Sequence, residues 1–475
     1  MVRPGGPASE WSRERVDQVA RSIHDPARVT AALAEAREPS VERVRELVGR
    51  ARQGEGLCPE EVAALLHVED PTWRNQVLAA AREIRERYYA RRISVSAPVC
   101  PTNRCVNECL YCPMRRSNSR LRRRAATTGD LQREIVALLD EGYRSFTLVF
   151  GDDRSGTAYV RDAVWATFGT TSGLRQAQRV DLDINPMRPD QQAALGEAGR
   201  LGTNHVVQET YDPEAYGRLH PEGPKSDYAW RLTCHDRALE SGWEQVGLGI
   251  LLGLHDHRYD VVALVAHAQY LEKQYSMEPA VVSLPRLVHS TGAPASLSTE
   301  FEVDDERFCY VVAVLRLALP FYSIQLSTPV QGPVRRELYS LGVTQCSVGS
   351  LSYPGAYSGD GEPETNSTLR IGSPRALEQL VYRMAEFGFV PNLCANCAVA
   401  GRRPAGARSR CVNERCGPNS LAALKEYLLD HASPETQVLG DRLIQRELSR
   451  LPERLRSDTL DLLQEVEAGL RRQVL

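Results

Sequence analysis

Cys105, Cys109 and Cys112 stand in a Cys-x3-Cys-x2-Cys run. Three thiolates are one fewer than a closed 4Fe–4S cluster requires, so one iron would be left to chelate a substrate or cofactor. A zinc knuckle needs a second ligand pair close by, and none follows within the strand–helix region. Four more cysteines gather near the C-terminus: Cys394, Cys397, Cys411 and Cys416. All four together suit a closed tetrahedral zinc site. Cys394, Cys397 and Cys416 alone suit a second three-thiolate 4Fe–4S cluster, and the spacing leaves both readings open. The other five of the twelve cysteines (Cys58, Cys100, Cys234, Cys309, Cys346) are scattered and read as small buried apolar side chains.

Acidic residues follow two apolar runs. Gly151-Asp152-Asp153 comes after Ser145–Phe150, and Gln208-Glu209-Thr210-Tyr211 ends another strand-like segment. Either is an ordinary strand end by itself and gains meaning only beside the cysteines.

Elements must hold these groups together. Up to about residue 90 apolar residues recur at helical spacing among many charges, which predicts a helical segment over 1–90. From Ile93 short apolar runs alternate with amphipathic stretches. Predicted strands are Ile93–Val99, Ser145–Phe150, Val180–Ile184, His205–Gln208, Gln245–Leu252, Ala280–Ser283, Tyr322–Leu326 and Gln345–Ser347. Eight strands alternating with helices predict an α/β fold, a (β/α)8 TIM-type barrel over 91–385, with chemistry at the C-terminal strand ends. The first cysteine group falls just after the first strand. Residues 386–475 read as a cysteine-rich, mostly helical C-terminal domain.

Composition fits a soluble globular chain, 42% hydrophobic and 25% charged with a net charge of -3. No overall basic footprint points to nucleic acid, and no apolar run reaches the roughly 18 residues a membrane span needs. Many cysteines without an apolar leader favour metal or redox use in a reducing, cytoplasmic location.

The Cys105–Cys112 spacing resembles the radical S-adenosylmethionine (SAM) superfamily. There the open iron binds S-adenosylmethionine, and reductive cleavage gives a 5′-deoxyadenosyl radical. Further runs carry a closer likeness: Gln208–Tyr211, His220-Pro-Glu-Gly-Pro-Lys225-Ser-Asp-Tyr228, Asp236-Arg237-Ala238, Val246–Gly249 and Gly253-Leu254. They are similar to the tyrosine-cleaving maturase of iron-only hydrogenase and to the 2-iminoacetate synthase of thiamine biosynthesis. The resemblance covers about residues 25–450 and implies a lyase that fragments an amino acid, most simply an aromatic one. It implies that Tyr111 lies beside the cofactor adenine, Gly151, Asp152 and Asp153 meet its amino group, Glu209 its ribose and Arg237 its carboxylate. The cysteine pattern with Cys416-Gly-Pro-Asn-Ser-Leu resembles the maturase's auxiliary-cluster domain, favouring a second 4Fe–4S cluster over zinc.

Three departures stand out. Alanine, Ala280, occupies the place of a histidine that holds an extra iron in the maturase. Ser327-Thr328-Pro329-Val330 replaces a Ser-Thr-Arg-Glu stretch, and proline offers nothing in place of a guanidinium fork. The loop between Cys397 and Cys416 is short and contains Cys411. Arg286, with Ser327 and Thr328 nearby in the pattern, is then the candidate for the substrate carboxylate. A different small-molecule substrate and a non-catalytic iron–sulfur scaffold are the competing readings. The basic run Arg115, Arg116, Arg120, Arg122, Arg123, Arg124 reads either as a solvated helix start or as a docking face for an acidic flavodoxin or ferredoxin. His220 is the histidine of interest, because it lies in the matched run.

Overall fold

The structure, a computed structural model, describes residues 11–153, 156–196, 201–327, 330, 332–347, 353–358, 376–395 and 416–471. Five helices, Arg13–Ile23, Pro26–Glu35, Val41–Arg52, Pro59–Leu66 and Pro71–Tyr89, fill the N-terminal segment. Ser12, Asp25, Ser40 and Asp70 cap four of them by accepting bonds from first-turn amides.

Eight parallel strands follow: β1 (Arg92–Thr102), β2 (Ser145–Phe150), β3 (Arg179–Asp183), β4 (Leu201–His205), β5 (Val246–Gly249), β6 (Val281–Ser283), β7 (Ser323–Leu326) and β8 (Gln345–Ser347). Each pairs with the next, and β8 returns to β1 through Ser94↔Gln345, which closes the barrel. A ninth strand, β9 (Val390–Asn392), adds in parallel to the lower end of β1. Three residues with a central proline left no alternating pattern to find it by. The fourth predicted strand shifts from His205–Gln208 to Leu201–His205. Its paired segment carries Gly202, Thr203 and Asn204, whereas the apolar Val206-Val207 beyond it only extends the ladder, with Val206 N–H donating to the Gly247 carbonyl.

The lumen departs from a barrel core packed with branched aliphatics. Ser94, Ser96, Ser145, Asp181, Thr203 and Ser323 line a cavity of about 220 Å³ at the N-terminal ends of the strands. Higher up, Thr147 donates to Ser96 and the Gln325 amide to Ser347. Apolar side chains instead sit between strands and outer helices, in one continuous core that also takes in the N- and C-terminal helices.

Helices Cys416–Asp430, Pro434–Arg450 and Glu453–Glu467 form the C-terminal part, and Ala376–Phe387 packs against the second of them. One buried ion pair ties this part to the barrel: Arg144, just before β2, meets Glu426 at 3.1 Å with side chains 7% and 2% exposed. Breaking a buried pair leaves an uncompensated charge. Glu426→Ala should therefore lower stability by about 3 kcal/mol or more, read as a fall in the denaturation midpoint. Replacing an exposed partner, as in Glu214→Ala, should move it by less than about 1 kcal/mol.

Candidate functional site

The loop carrying Cys105, Cys109 and Cys112 leaves the upper end of β1 and is sewn to its surroundings by backbone bonds. Val106 N–H donates to the Asp152 carbonyl at 2.9 Å, Glu108 N–H to Glu222 at 3.0 Å and Leu110 N–H to Leu219 at 3.0 Å. Asn107, 1% exposed, joins three segments. Its amide donates to the Asp152 carboxylate at 2.8 Å and points toward the Cys105 sulfur at 3.8 Å, while its carbonyl accepts from Lys225 N–H at 2.8 Å. Gly223, at φ +96°, is required there: a Cβ would fall 2.5 Å from Asn107 Oδ1 and 2.8 Å from its Cα. Gly151 is likewise fixed, since a Cβ would stand 2.2 Å from the Arg104 carbonyl oxygen.

These thiols fit an iron cluster. Burial and the neighbouring Cys109 push the Cys112 thiol up to about 12, and burial also raises Cys109. Three adjacent thiolates in so dry a place need cations to balance them. Among the described residues no three His, Cys, Asp or Glu side chains converge on a single metal ion.

Glu209 turns into the same mouth from the segment after β4. Its backbone is left-handed, φ +76°, a strained conformation for a side-chain-bearing residue. Asp260 holds the turn by accepting from Thr210 Oγ1 at 2.9 Å and Tyr211 N–H at 2.7 Å. Burial would raise the Glu209 carboxyl, but the charges of Lys225 and Arg231 outweigh it and hold it below the usual range. Lys225 ion-pairs with Glu209, and Arg231 lies 3.4 Å from it. Arg231 also reaches the Val207 carbonyl at 2.8 Å and Asn185 Oδ1 at 3.5 Å.

Tyr111 is buried beside the cysteines, its hydroxyl 2.9 Å from His220 Nε2. His220 Nδ1 faces the Tyr216 carbonyl at 2.8 Å, so Nδ1 bears the hydrogen and Nε2 accepts from the phenol. Asp152 is raised by burial against the Asn107 bond. Asp153 accepts from Thr102 Oγ1 at 3.1 Å. Gly151, Asp152 and Asp153 border a cavity of about 210 Å³ with Asn185 and Met187.

Two predicted residues are not brought to this site. Arg237 donates to the Met187 and Trp230 carbonyls and to Thr233, stacked 3.5 Å from the centre of the Trp230 ring. Its helix faces it outward, and Arg231 is the arginine beside Glu209. Arg286 pairs with Asp305 at 2.8 Å, donates to the Val303 carbonyl at 3.1 Å and lies over Phe308. The helix Asp305–Ala318 thus draws it to the outside of the barrel. Ser327 follows the end of β7, half-buried; Thr328 and Pro329 lie outside the described residues. Asn107, Lys225 and Arg231 carry no signal of their own in the sequence, although Lys225 stands in the run from His220 to Tyr228.

Two cysteines of the second group lie at the opposite mouth. Cys394 and Cys416 line the lower cavity together with Asn392 and Ala280. Cys397 and Cys411 lie outside the described residues. Of the scattered cysteines, Cys100, Cys234 and Cys346 are buried while Cys58 and Cys309 are half-buried. In the arginine run, Arg115 pairs with Glu108, Arg116 with Glu222 and Arg124 with Asp130, and Arg123 donates to three carbonyls. Arg116, Arg120 and Arg122 are exposed. No helix among the described residues is long and apolar enough to cross a membrane.

Comparison with known proteins matches residues 99–267 to the Radical SAM superfamily. The chain is 30% identical to the 2-iminoacetate synthase of Escherichia coli (strain K12) over 322 residues, 67% of this chain and 82% of the relative. Its structure is similar to that of HydG, a maturase of the [FeFe]-hydrogenase, with a TM-score of 0.87 and 31% identity, covering 94% of this chain and 98% of that one. The HydG of Carboxydothermus hydrogenoformans gives a TM-score of 0.81 at 26% identity, over 94% and 99% of the two chains.

His220 supplies two tests. Burial and the Lys225 charge push it down to about 3, against about 6.5 when unfolded. Between those values the unfolded chain binds the extra proton, so this histidine lowers stability as pH falls from 6.5 toward 3. His220→Gln should flatten that acid slope in denaturation curves. His220→Ala, which strands the Tyr111 hydroxyl, should cost about 1–3 kcal/mol at neutral pH.

Proposed function

We propose, from the premise that this chain belongs to the radical SAM family of 2-iminoacetate synthase and HydG, that it fragments an amino acid, an aromatic one first of all. The observation that supports this best is the likeness to HydG over 94% of the chain at 31% identity. The radical SAM enzyme takes a 4Fe–4S cluster and S-adenosylmethionine, which when bound supply a carbon-centred radical that removes a hydrogen atom from substrate. Cys105, Cys109 and Cys112 would hold that cluster. Tyr111, Gly151, Asp152, Asp153 and Glu209 would hold the cofactor, with Arg231 rather than Arg237 as the arginine beside it.

The chain's own residues do the rest. Asn107 and Gly223 fix the thiol loop. Lys225 and Arg231 keep Glu209 ionised as an acceptor for hydroxyl donors. The His220 bond holds Tyr111 in one orientation. The closed barrel keeps bulk water from a reactive intermediate. At the lower mouth, Cys394 and Cys416, with Cys397, would hold a second 4Fe–4S cluster, beside a cavity whose serines and threonines suit a small polar fragment. Ala280 cannot ligate iron, so the fate of that fragment differs from one that depends on a histidine there. The exposed Arg116, Arg120 and Arg122 beside the cluster loop offer an acidic flavodoxin or ferredoxin a surface from which to deliver electrons.

A second reading, a different small-molecule substrate, is favoured by one observation: Arg286 is turned away from the lumen. Anaerobic incubation with dithionite, S-adenosylmethionine and each standard amino acid separates the two. The lyase reading expects 5′-deoxyadenosine together with p-cresol from tyrosine, or the matching fragment of another aromatic residue. No fragmentation of any amino acid would sink it. Cys109→Ala should abolish 5′-deoxyadenosine. Cys416→Ala should retain it while losing roughly four irons per chain; loss of zinc instead would identify a zinc site.

A further inference from the structure

Above the Arg179–Asp181 pair of the lower cavity, the described lumen holds a second charged pair that none of these roles uses. Asp183 ends β3 and His205 ends β4, directly opposite each other in register. Both share a strand face with residues of the lower cavity, Asp181 and Thr203, so they point into the barrel. His205 Nδ1 lies 3.9 Å from Asp183 Oδ2, and its Nε2 lies 3.3 Å from the Leu248 carbonyl oxygen. The imidazole is pressed against the wall, where Gly247 makes room: a Cβ there would stand 2.5 Å from the His205 ring.

The two side chains differ in access. His205 is 8% exposed, whereas Asp183, inside a barrel, is 38% exposed. The histidine is thus committed to protein partners on both nitrogens, and the carboxylate remains open to the lumen. Among the described residues the charged partner of Asp183 is His205 alone. Burial opposes a charge on His205, but Asp183 and the Leu248 carbonyl outweigh it and raise the imidazole above its ordinary range. The imidazole, with Nδ1 turned toward the carboxylate and Nε2 toward the Leu248 carbonyl, leaves Asp183 placed as an acceptor on the open side.

Its height in the barrel matters. Two residues above Asp183 on the same face is Asn185, which meets Arg231 and through it Glu209 at the upper mouth. Two strand residues span about 7 Å at roughly 3.3 Å each, comparable to the reach of an aromatic side chain. We infer that Asp183, backed by His205, is a specificity-determining residue that accepts a hydrogen bond from the side-chain tip of the substrate, a phenol hydroxyl or an indole N–H. This rests on the amino-acid lyase reading above and adds a discrimination: side chains that bear a donor over phenylalanine.

The test uses cluster-loaded enzyme with S-adenosylmethionine, and reads tyrosine, tryptophan and phenylalanine affinity by equilibrium binding alongside 5′-deoxyadenosine formation. Asp183→Ala and the near-isosteric Asp183→Asn should weaken the donor-bearing substrates by about tenfold or more. Phenylalanine binding should stay within about twofold, and iron content should match the wild type, which separates the effect from misfolding. Equal losses for tyrosine and phenylalanine, or no loss for either, would overturn the inference. If the wild type binds no aromatic amino acid, the lyase reading as an aromatic one fails by itself. Asp183 is then judged with whichever donor-bearing amino acid elicits 5′-deoxyadenosine: equal affinity in wild type and Asp183→Ala overturns the role, and if no amino acid does so, both fall together.

Discussion

The site depends on a single buried amide. Asn107 lies between two of the three upper cysteines, and each end of its side chain is committed: the nitrogen to Asp152, the oxygen to the backbone of Lys225. Three stretches far apart in sequence therefore meet at one side chain that has both a donor and an acceptor. Aspartate would lose the donor, and leucine would lose both. The close approach is possible only because residue 223 is glycine. That junction also places Lys225 against Glu209, and with it sets the charge state of the Glu209 carboxylate.

Charge balance around Glu209 shows how the fold sustains polar chemistry indoors. Glu209, Lys225 and Arg231 are all at most about a tenth exposed, an arrangement that is costly unless each charge is compensated. Two cations face the carboxylates of Glu209 and Asp152, so charge is balanced beside the three thiols. The strained backbone at Glu209 is held by Asp260 from the helix behind it.

Much of this was legible in the sequence, for reasons that can be named. The barrel strands β2 and β6 announce themselves as short apolar runs, and β7 by its alternating Ile324 and Leu326. The cysteine spacing is local, so it survives without any knowledge of the fold. The position of β4 was less legible, since Gly202 and Asn204 give no apolar signal. Arg237 was named from the Asp236-Arg237-Ala238 run of the resemblance, whereas Arg231, on the preceding short helix Tyr228–Leu232, is the guanidinium that meets Glu209. Arg286 was chosen for its neighbours in sequence, and its capture by Asp305 is a contact across a loop that no spacing reveals. Asn107, a neutral residue between cysteines, offered no signal at all.

The length of β1 carries a mechanical consequence. Eleven residues long, it is bonded to β9 and β8 at its lower end and to β2 at its upper end. The chain that begins beside Asn392 thus runs as one strand to the loop of the upper cysteines, its register against β2 shifting once between Val99 and Thr102. An extended strand gripped on both sides transmits displacement along its axis better than it bends. A displacement at its lower end is therefore passed along one strand toward the loop of Cys105, Cys109 and Cys112, and the irregular pairing between Val99 and Thr102 is where part of it can be taken up.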